Sequence, residues 1–209
     1  SETTAMLGLF LEPNPALISR YRDGVQNVSW TSQDKQVWTR PLVVLTSRGT
    51  GPGPEIIAGV LQDYGRALII GDSHTSGNGS VQSLFDIGEE LVTGSNPPRL
   101  GACKITTQLF FLPSGRTNAG SGIVPDVVLP SLYESEYLEP RRHDLQTEPV
   151  KSLVFPSTPY VSQKLIENLK RLAQERQKVT PEYQEFVELT RKYARQKVEP
   201  VVPLDERRY

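Results

Sequence analysis

Hydrophobic residues in the first half of the chain come in short continuous runs that are separated by glycine-rich turns. Residues 42–45 form an apolar run without alternation, which is typical of a central strand covered on both faces. Residues 67–70 predict a second buried strand. Between them, apolar positions recur at helical spacing from Pro54 to Gly65, and proline suits a first turn as glycine suits a stop. Together these elements predict a βαβ unit with two parallel strands.

β-type patterns flank this unit on both sides. Residues 16–39 carry short apolar runs separated by turn residues, which is the pattern of a β-hairpin. Trp30 and Trp38 are expected to cover a sheet face there. Residues 102–112 are rich in β-branched and aromatic side chains and predict a further strand, in which Cys103 is expected to be a small buried apolar residue.

The last third of the chain has a different pattern. Residues 131–159 are polar and rich in proline, which is typical of a linker. Amphipathic patterns then predict a helix over about residues 161–178 and a second helix that begins at Thr180. We expect the two helices to pair as a hairpin. Their basic residues alternate with glutamates at i,i+4 spacing, which favours a solvated face over a nucleic-acid surface.

The chain thus divides into an α/β core at residues 1–130, a linker at 131–159 and a helical extension at 160–209.

The composition of the chain limits the classes of partner and site that it can have. The 209 residues include 23 basic and 24 acidic side chains, so the formal charge of -1 creates no global field for nucleic acid or anionic lipid. One cysteine excludes an intrachain disulfide and a cysteine-rich metal cage. No apolar run reaches the length of about 18 residues that a membrane span needs, and no signal peptide is evident.

The first glycine-rich turn, Gly51-Pro52-Gly53-Pro54, precedes the predicted helix like a phosphate-binding turn. Its two prolines remove amide donors, and Glu55 adds a competing negative charge. The turn also lacks the third glycine of a dinucleotide motif and the lysine of a P-loop. We therefore expect no nucleotide cofactor.

The second glycine-rich turn contains Asp72 and His74, a close pair of metal-ligand types, and the other histidine, His143, lies in the linker. Two ligands at this spacing do not make a metal site, so we expect no metal. Ser73, Ser76 and Ser80 lie near His74 in sequence, but a catalytic triad needs a base that a third group orients at defined geometry. Proximity in sequence does not supply that geometry.

Four motifs resemble the C-terminal half of the protease core of the C-terminal processing peptidases, or tail-specific proteases, of peptidase family S41. They are GLF at residues 8–10, EIIAGVLQDYGRALIIGD at 55–72, TTQLFF at 106–111 and GIVPDVVLP at 122–130. The resemblance implies the βαβ-containing mixed sheet of the ClpP/crotonase-like S41 core. Less closely, residues 131–209 resemble the helical C-terminal extension of the tail-specific branch. The first part of that core and the PDZ domain of the family have no counterpart in these residues, and the abrupt apolar start at residue 5 suggests a chain cut from a larger domain.

Members of that family use a serine nucleophile and a lysine general base. The resemblance places the serine three residues before Glu55, where this chain has Pro52. It places the lysine in a Gly-Lys-Gly triplet, which here is Gly77-Asn78-Gly79, so Asn78 stands at the base position. Supporting positions of the family pattern are retained at Glu55, Asp63, Gln82 and Gly53.

Proline has no hydroxyl to acylate, and an asparagine amide is not a base, so the chain is predicted to be proteolytically inactive. The hypothesis is a module that binds protein or peptide C-terminal tails or acts as a scaffold. Two alternatives stay open. One is an active serine peptidase that takes catalytic groups from an absent segment or a partner, with Thr50 as the nearest hydroxyl; the other is a purely structural assembly module.

The family resemblance also implies a location in the cell envelope or periplasm, although the sequence carries no signal for it. A half core exposes a sheet edge or face that its missing half would cover. A homo-oligomer that covers this surface is therefore a further expectation.

Overall fold

The computed structural model describes residues 2–32, 36–91, 98–135, 148–156 and 160–198. These residues form two β-sheets, a helix that crosses between strands, and two long helices near the end of the chain. The elements in chain order are α1 (Glu2–Gly8), β1 (Pro15–Tyr21), β2 (Gln26–Trp30), β3 (Val43–Thr46), α2 (Pro52–Asp63), β4 (Leu68–Gly71), β5 (Ser80–Asp86), α3 (Ile87–Leu91), β6 (Ala102–Phe111), β7 (Val127–Val128), a 3₁₀ turn (Leu132–Ser135), α4 (Gln163–Val179) and α5 (Pro181–Val198).

The predicted βαβ unit is present as β3, α2 and β4. β3 and β4 are parallel, with Val43 opposite Leu68, and β7 continues the sheet in the order β3-β4-β7. The prediction that residues 42–45 form a central strand is wrong, because β3 is the edge of this sheet among the described residues. Val43 and Leu45 are 53% and 77% exposed there. Their continuous apolar pattern reflects a face that the described residues do not cover.

The second sheet is antiparallel, with the strand order β2-β1-β6-β5. The β1–β2 hairpin was predicted, and Gly24 closes it with a φ of 87°. β5 and α3 were not predicted. Cys103 lies on β6 opposite Phe85 and is exposed, so its expected burial is wrong. The half of the β5–β6 pair that carries Cys103 extends beyond the pairing with β1, and residues 102–106 of β6 are exposed.

The hydrophobic core lies around α2. Buried side chains of α2, β4 and the end of β6 meet there, and Tyr64 donates a hydrogen bond of 2.7 Å to the Pro15 carbonyl. Burial, with a smaller contribution from the Asp63 carboxylate, raises the pKa of Tyr64 well above its ordinary value. Trp30 and Trp38, which were expected to cover a sheet face, are instead 56% and 45% exposed.

Arg66, two residues before β4, contacts three segments that are far apart in the sequence. Its side chain is buried, and it donates to the carbonyls of Phe10 at 2.9 Å and Trp38 at 2.5 Å. Its guanidinium lies 4.5 Å from the centre of the Tyr160 ring, which comes just before α4. Burial lowers the pKa of Arg66, with a smaller opposing contribution from Tyr160. Arg66 therefore connects the core to the segment just before α4, and its buried charge is stabilised by two backbone carbonyls and the Tyr160 ring.

The segment before α4 follows the core surface. Val150 and Leu153 donate backbone hydrogen bonds to Gly115 and Pro113, and the Phe155 ring lies 4.8 Å from the Tyr64 ring. α4 begins with a side-chain cap that was not predicted, since the Ser162 hydroxyl accepts from the Leu165 amide. Residues 136–147, 157–159 and 199–209 of the predicted linker and tail lie outside the described residues.

None of the described helices is both long and apolar enough to cross a bilayer.

We expect Gly71→Ala to lower the free energy of unfolding by about 3 kcal/mol, since overpacking of this kind is costly. A Cβ at Gly71 would lie 1.9 Å from the Thr46 carbonyl oxygen, which belongs to the paired strand. The control is Gly53→Ala in the first turn of α2, where the nearest atom, Thr3 Oγ1, would be 3.5 Å away. Urea unfolding of both variants tests this expectation, and equal loss of stability would contradict the observed β3–β4 contact.

Candidate functional site

The two glycine-rich turns meet at the carboxyl ends of β3 and β4. This is the edge at which open α/β sheets bind ligands. The Ser76 amide donates to the Thr50 carbonyl at 3.2 Å, and the Arg48 amide donates to Asp72 Oδ2 at 2.6 Å. Each turn thus supplies hydrogen bonds to the other, and we refer to residues 47–55 and 72–79 together as the two-turn site.

The Glu55 carboxylate holds the second turn in place from the first turn of α2. It is completely buried. Oε1 accepts from the Thr75 hydroxyl at 2.5 Å and from the Gly77 amide at 2.6 Å, and Oε2 accepts from the Asn78 amide at 3.2 Å. A buried carboxylate is tolerated only when hydrogen-bond donors surround it, and here all three donors belong to the second turn.

The loop that follows β6 supports the second turn from its other side. The Gly120 amide donates to the Gly77 carbonyl at 2.8 Å, and a Cβ at Gly79 would lie 2.4 Å from Ala119. Gly77 and Gly79 also have φ values of 76° and 53°, which are unfavourable for other residues. The glycines of the Gly-Asn-Gly triplet are therefore required by the packing, whereas the asparagine side chain is not.

Pro52 and Asn78 both lie on the exposed rim of the two-turn site. Pro52 is the first residue of α2, where its missing amide hydrogen leaves no bond unmade. The Asn78 backbone is tied to Glu55, while its side-chain amide lies 3.4 Å from the Ser76 hydroxyl. Neither side chain offers a nucleophile or a base.

Among the described residues, His74 and the Thr50 hydroxyl each have hydrogen-bond partners other than each other. His74 Nδ1 lies 2.6 Å from the Thr75 carbonyl, so Nδ1 carries the hydrogen, and Nε2 accepts from the Arg48 guanidinium. The Thr50 hydroxyl accepts from the Ser47 amide at 2.9 Å. Both ring nitrogens of His74 are thus occupied. Asp72 Oδ2 accepts from the Arg48 amide of the first turn.

The other positions that the family resemblance singled out lie elsewhere. Asp63 ends α2, about 12 Å along the helix from Glu55 at 1.5 Å per residue, and it forms an ion pair of 3.0 Å with Arg116. Gln82 lies on β5 opposite Thr106 and is exposed. Gly53 lies in the first turn of α2, between the two prolines. Glu55 is therefore the retained side chain that the structure places within the two turns.

Thr75 is a site residue that sequence reasoning missed. Its buried hydroxyl accepts from the Ile123 amide at 2.8 Å while it donates to Glu55. It connects the GIVPDVVLP motif to the two turns. In the sequence, Thr75 looks like any other threonine in a polar turn. Its contacts with Glu55 and Ile123 become evident only in the fold.

We expect Glu55→Gln to destabilise the protein by about 2 kcal/mol, because its amide nitrogen cannot accept from the turn and leaves a buried donor unpaired. Glu167→Gln on the exposed surface of α4 is the matched control and should stay within about 0.5 kcal/mol of the unchanged protein.

Urea unfolding measures both variants, and hydrogen exchange at the Gly77 amide should accelerate only in Glu55→Gln. Unchanged exchange at Gly77 would show that Glu55 does not hold the second turn.

Comparison with known proteins places this fold and site in a family. The profile of "Peptidase family S41" matches residues 1–129. The "Carboxy-terminal-processing protease" of Bartonella bacilliformis is 39% identical over 98 residues, which are 47% of this chain and 20% of that protein. The "Tail-specific protease" of Haemophilus influenzae is 29% identical over 138 residues, which are 65% of this chain and 19% of that protein. The chain therefore spans about a fifth of the length of these curated relatives.

A solved structure, "Photosystem II D1 C-terminal processing protease", is similar in fold. It has a TM-score of 0.50 and 25% sequence identity, and the match covers 61% of this chain and 30% of that one. The predicted α/β fold class is thus confirmed, with parallel and antiparallel pairing in separate sheets. The profile match covers more than half of the chain and includes both turns. The chain belongs to peptidase family S41.

Proposed function

We propose that this chain is a proteolytically inactive S41 homologue that binds the C-terminal tails of proteins or peptides. The observation that supports this proposal most strongly is the arrangement at Glu55. Its carboxylate holds the backbone of the second turn, so the frame of the site is built, while Pro52 and Asn78 supply no reacting group. Loss of a nucleophile or base in serine proteases lowers turnover by a factor on the order of a million.

A two-turn site that keeps its structure but lacks a nucleophile and a base can still bind a peptide. β5 begins at Ser80, directly after the second turn, and its outer edge pairs with no other strand among the described residues. An extended peptide that adds to such an edge gains main-chain hydrogen bonds, and alternate side chains give it specificity. A tail bound along β5 would enter the two-turn site at Asn78.

The names of the relatives describe processing at carboxyl termini, and the relatives come from bacteria and chloroplasts. We extend the carboxyl-terminal preference, without the cleavage, to this chain. A cell-envelope or periplasmic location is part of the same proposal, since it follows from the family alone.

We expect the full-length protein to bind an unstructured fluorescent peptide with a free C-terminus saturably and to leave it intact. Fluorescence anisotropy measures the binding, and mass spectrometry of the peptide measures cleavage. The same peptide with an amidated C-terminus is the control and should bind more weakly. Absence of saturable binding would favour the purely structural module. Cleavage that Thr50→Ala or Ser80→Ala abolishes would favour the alternative of an active peptidase.

We also expect the double variant Pro52→Ser with Asn78→Lys to gain measurable peptide cleavage in the full-length protein. The reason is that Glu55 holds the backbone of position 78, while position 52 is set by the start of α2, and neither constraint involves the side chains of Pro52 and Asn78. Each single variant is a control and should remain inactive, because nucleophile and base act as a unit. A correctly folded double variant without cleavage would show that the frame itself has been lost.

A further inference from the structure

Asn78 is the one asparagine of this chain that a glycine follows. The main-chain nitrogen of the next residue can attack an asparagine side chain at its carbonyl carbon, and glycine has no Cβ to obstruct that approach. The residues after the other asparagines are prolines, which have no amide hydrogen to lose, or carry a side chain: Pro15, Val28, Pro97, Ala119 and Leu169. The pair Asn78–Gly79 is therefore the place in the sequence that best suits deamidation.

Hydrogen bonds leave both reacting groups of this pair available. The Asn78 side chain is exposed, and its one hydrogen bond among the described residues is a long one of 3.4 Å, from Nδ2 to the Ser76 hydroxyl. The Gly79 amide donates to no acceptor within the described part of the chain, whereas the amides of Gly77 and Asn78 donate to Glu55. The nitrogen that would act as the nucleophile is thus not occupied.

The turn between β1 and β2 contains Asp23–Gly24, which shows the opposite arrangement. The Gly24 amide donates to the Tyr21 carbonyl at 3.0 Å, and Asp23 Oδ1 accepts from the Val25 amide at 3.0 Å. Both groups that would have to react are held by other partners. An ionised carboxylate is also a poorer target for a nucleophile than an amide, so we expect no ring closure there.

We propose that Asn78 is a site of spontaneous deamidation in the folded protein, at which the Gly79 nitrogen closes a cyclic imide on the Asn78 side chain. The nitrogen gives up its hydrogen to a solvent base and forms a bond to the side-chain carbonyl carbon. The bond from that carbon to Nδ2 breaks, and ammonia leaves with a proton from solvent. Water then opens the imide at one of its two carbonyl groups, which leaves an aspartate or an isoaspartate at position 78. The net reaction consumes one water molecule and releases one ammonia molecule.

The two-turn site limits how fast the ring can close. Closure requires rotation of the Asn78 backbone, which is held on both sides of the reacting bond. Glu55 Oε2 accepts from the Asn78 amide at 3.2 Å, and the Phe110 amide donates to the Gly79 carbonyl at 3.1 Å. The reaction in the folded protein therefore depends on local opening of the second turn, and Glu55 restrains that opening.

Either product would disturb the second turn. Because the Asn78 amide donates to Glu55 Oε2, an aspartate at position 78 places a second carboxylate close to a buried one, which repulsion between like charges disfavours. In an isoaspartate the main chain gains one carbon between positions 78 and 79. That insertion meets Gly79, where even a Cβ would lie 2.4 Å from Ala119. Deamidation is therefore expected to release the second turn irreversibly.

Hydroxylamine tests ring formation directly, because it opens a cyclic imide and cleaves the chain at that point. We expect the full-length protein, folded in mildly alkaline buffer, to be cleaved between positions 78 and 79 and not between 23 and 24. Mass spectrometry of the fragments locates the cut. Cleavage should be slower than in the same protein unfolded by denaturant, and Asn78→Gln, which would need a larger ring, should prevent it in both states. A folded protein that stays intact while the unfolded one is fully cleaved would overturn the proposal.

The restraint by Glu55 is tested by the same assay in folded variants. Glu55→Gln should accelerate cleavage by about tenfold, because it weakens the hold on the second turn and so raises the open population. Glu167→Gln on the exposed surface of α4 is the control and should cleave at the rate of the unchanged protein. Circular dichroism checks that both variants are folded. Equal rates in all three folded proteins would contradict the restraint and overturn that part of the proposal.

Discussion

A single buried carboxylate organises the site of this protein. A carboxylate without partners inside a protein costs several kcal/mol, so Glu55 must be surrounded by donors, and they come from Thr75, Gly77 and Asn78. The Thr75 hydroxyl in turn accepts a hydrogen bond from the Ile123 amide, so the loop after β6 is held as well. The start of α2, the second turn and the loop after β6 are thus held in one arrangement, and each depends on the same side chain.

Under the proposed function, this arrangement explains how the two turns keep their structure without a serine at position 52 or a lysine at position 78. The contacts to the second turn run through backbone amides and a threonine hydroxyl, not through the side chain of Asn78. Pro52 occupies a helix position where a missing amide hydrogen costs nothing. Both side chains are exposed, so neither takes part in the packing of the core. The structure of the second turn therefore does not depend on them, because it is held by backbone amides and the side chains of Glu55 and Thr75.

Local patterns predicted much of the fold. The βαβ unit, the β1–β2 hairpin and the strand at residues 102–111 follow from apolar runs, glycine positions and β-branched residues. β5 and the short α3 were missed because Ser80–Asp86 has little apolar periodicity and gains its conformation by pairing with β6. The position of β3 at a sheet edge and the exposure of Cys103 depend on which elements cover them, and sequence patterns carry no such information. In the site, Glu55 was identified through the family motif, whereas its donors became evident only from the fold.

We propose that the two-turn site keeps its frame but holds no activated nucleophile. The most direct test is intact-mass analysis of the full-length protein after incubation with a serine-reactive fluorophosphonate. We expect an unmodified mass under conditions that fully label an active serine peptidase. A stoichiometric adduct mapped to Thr50 or to a serine of residues 72–80 would contradict it.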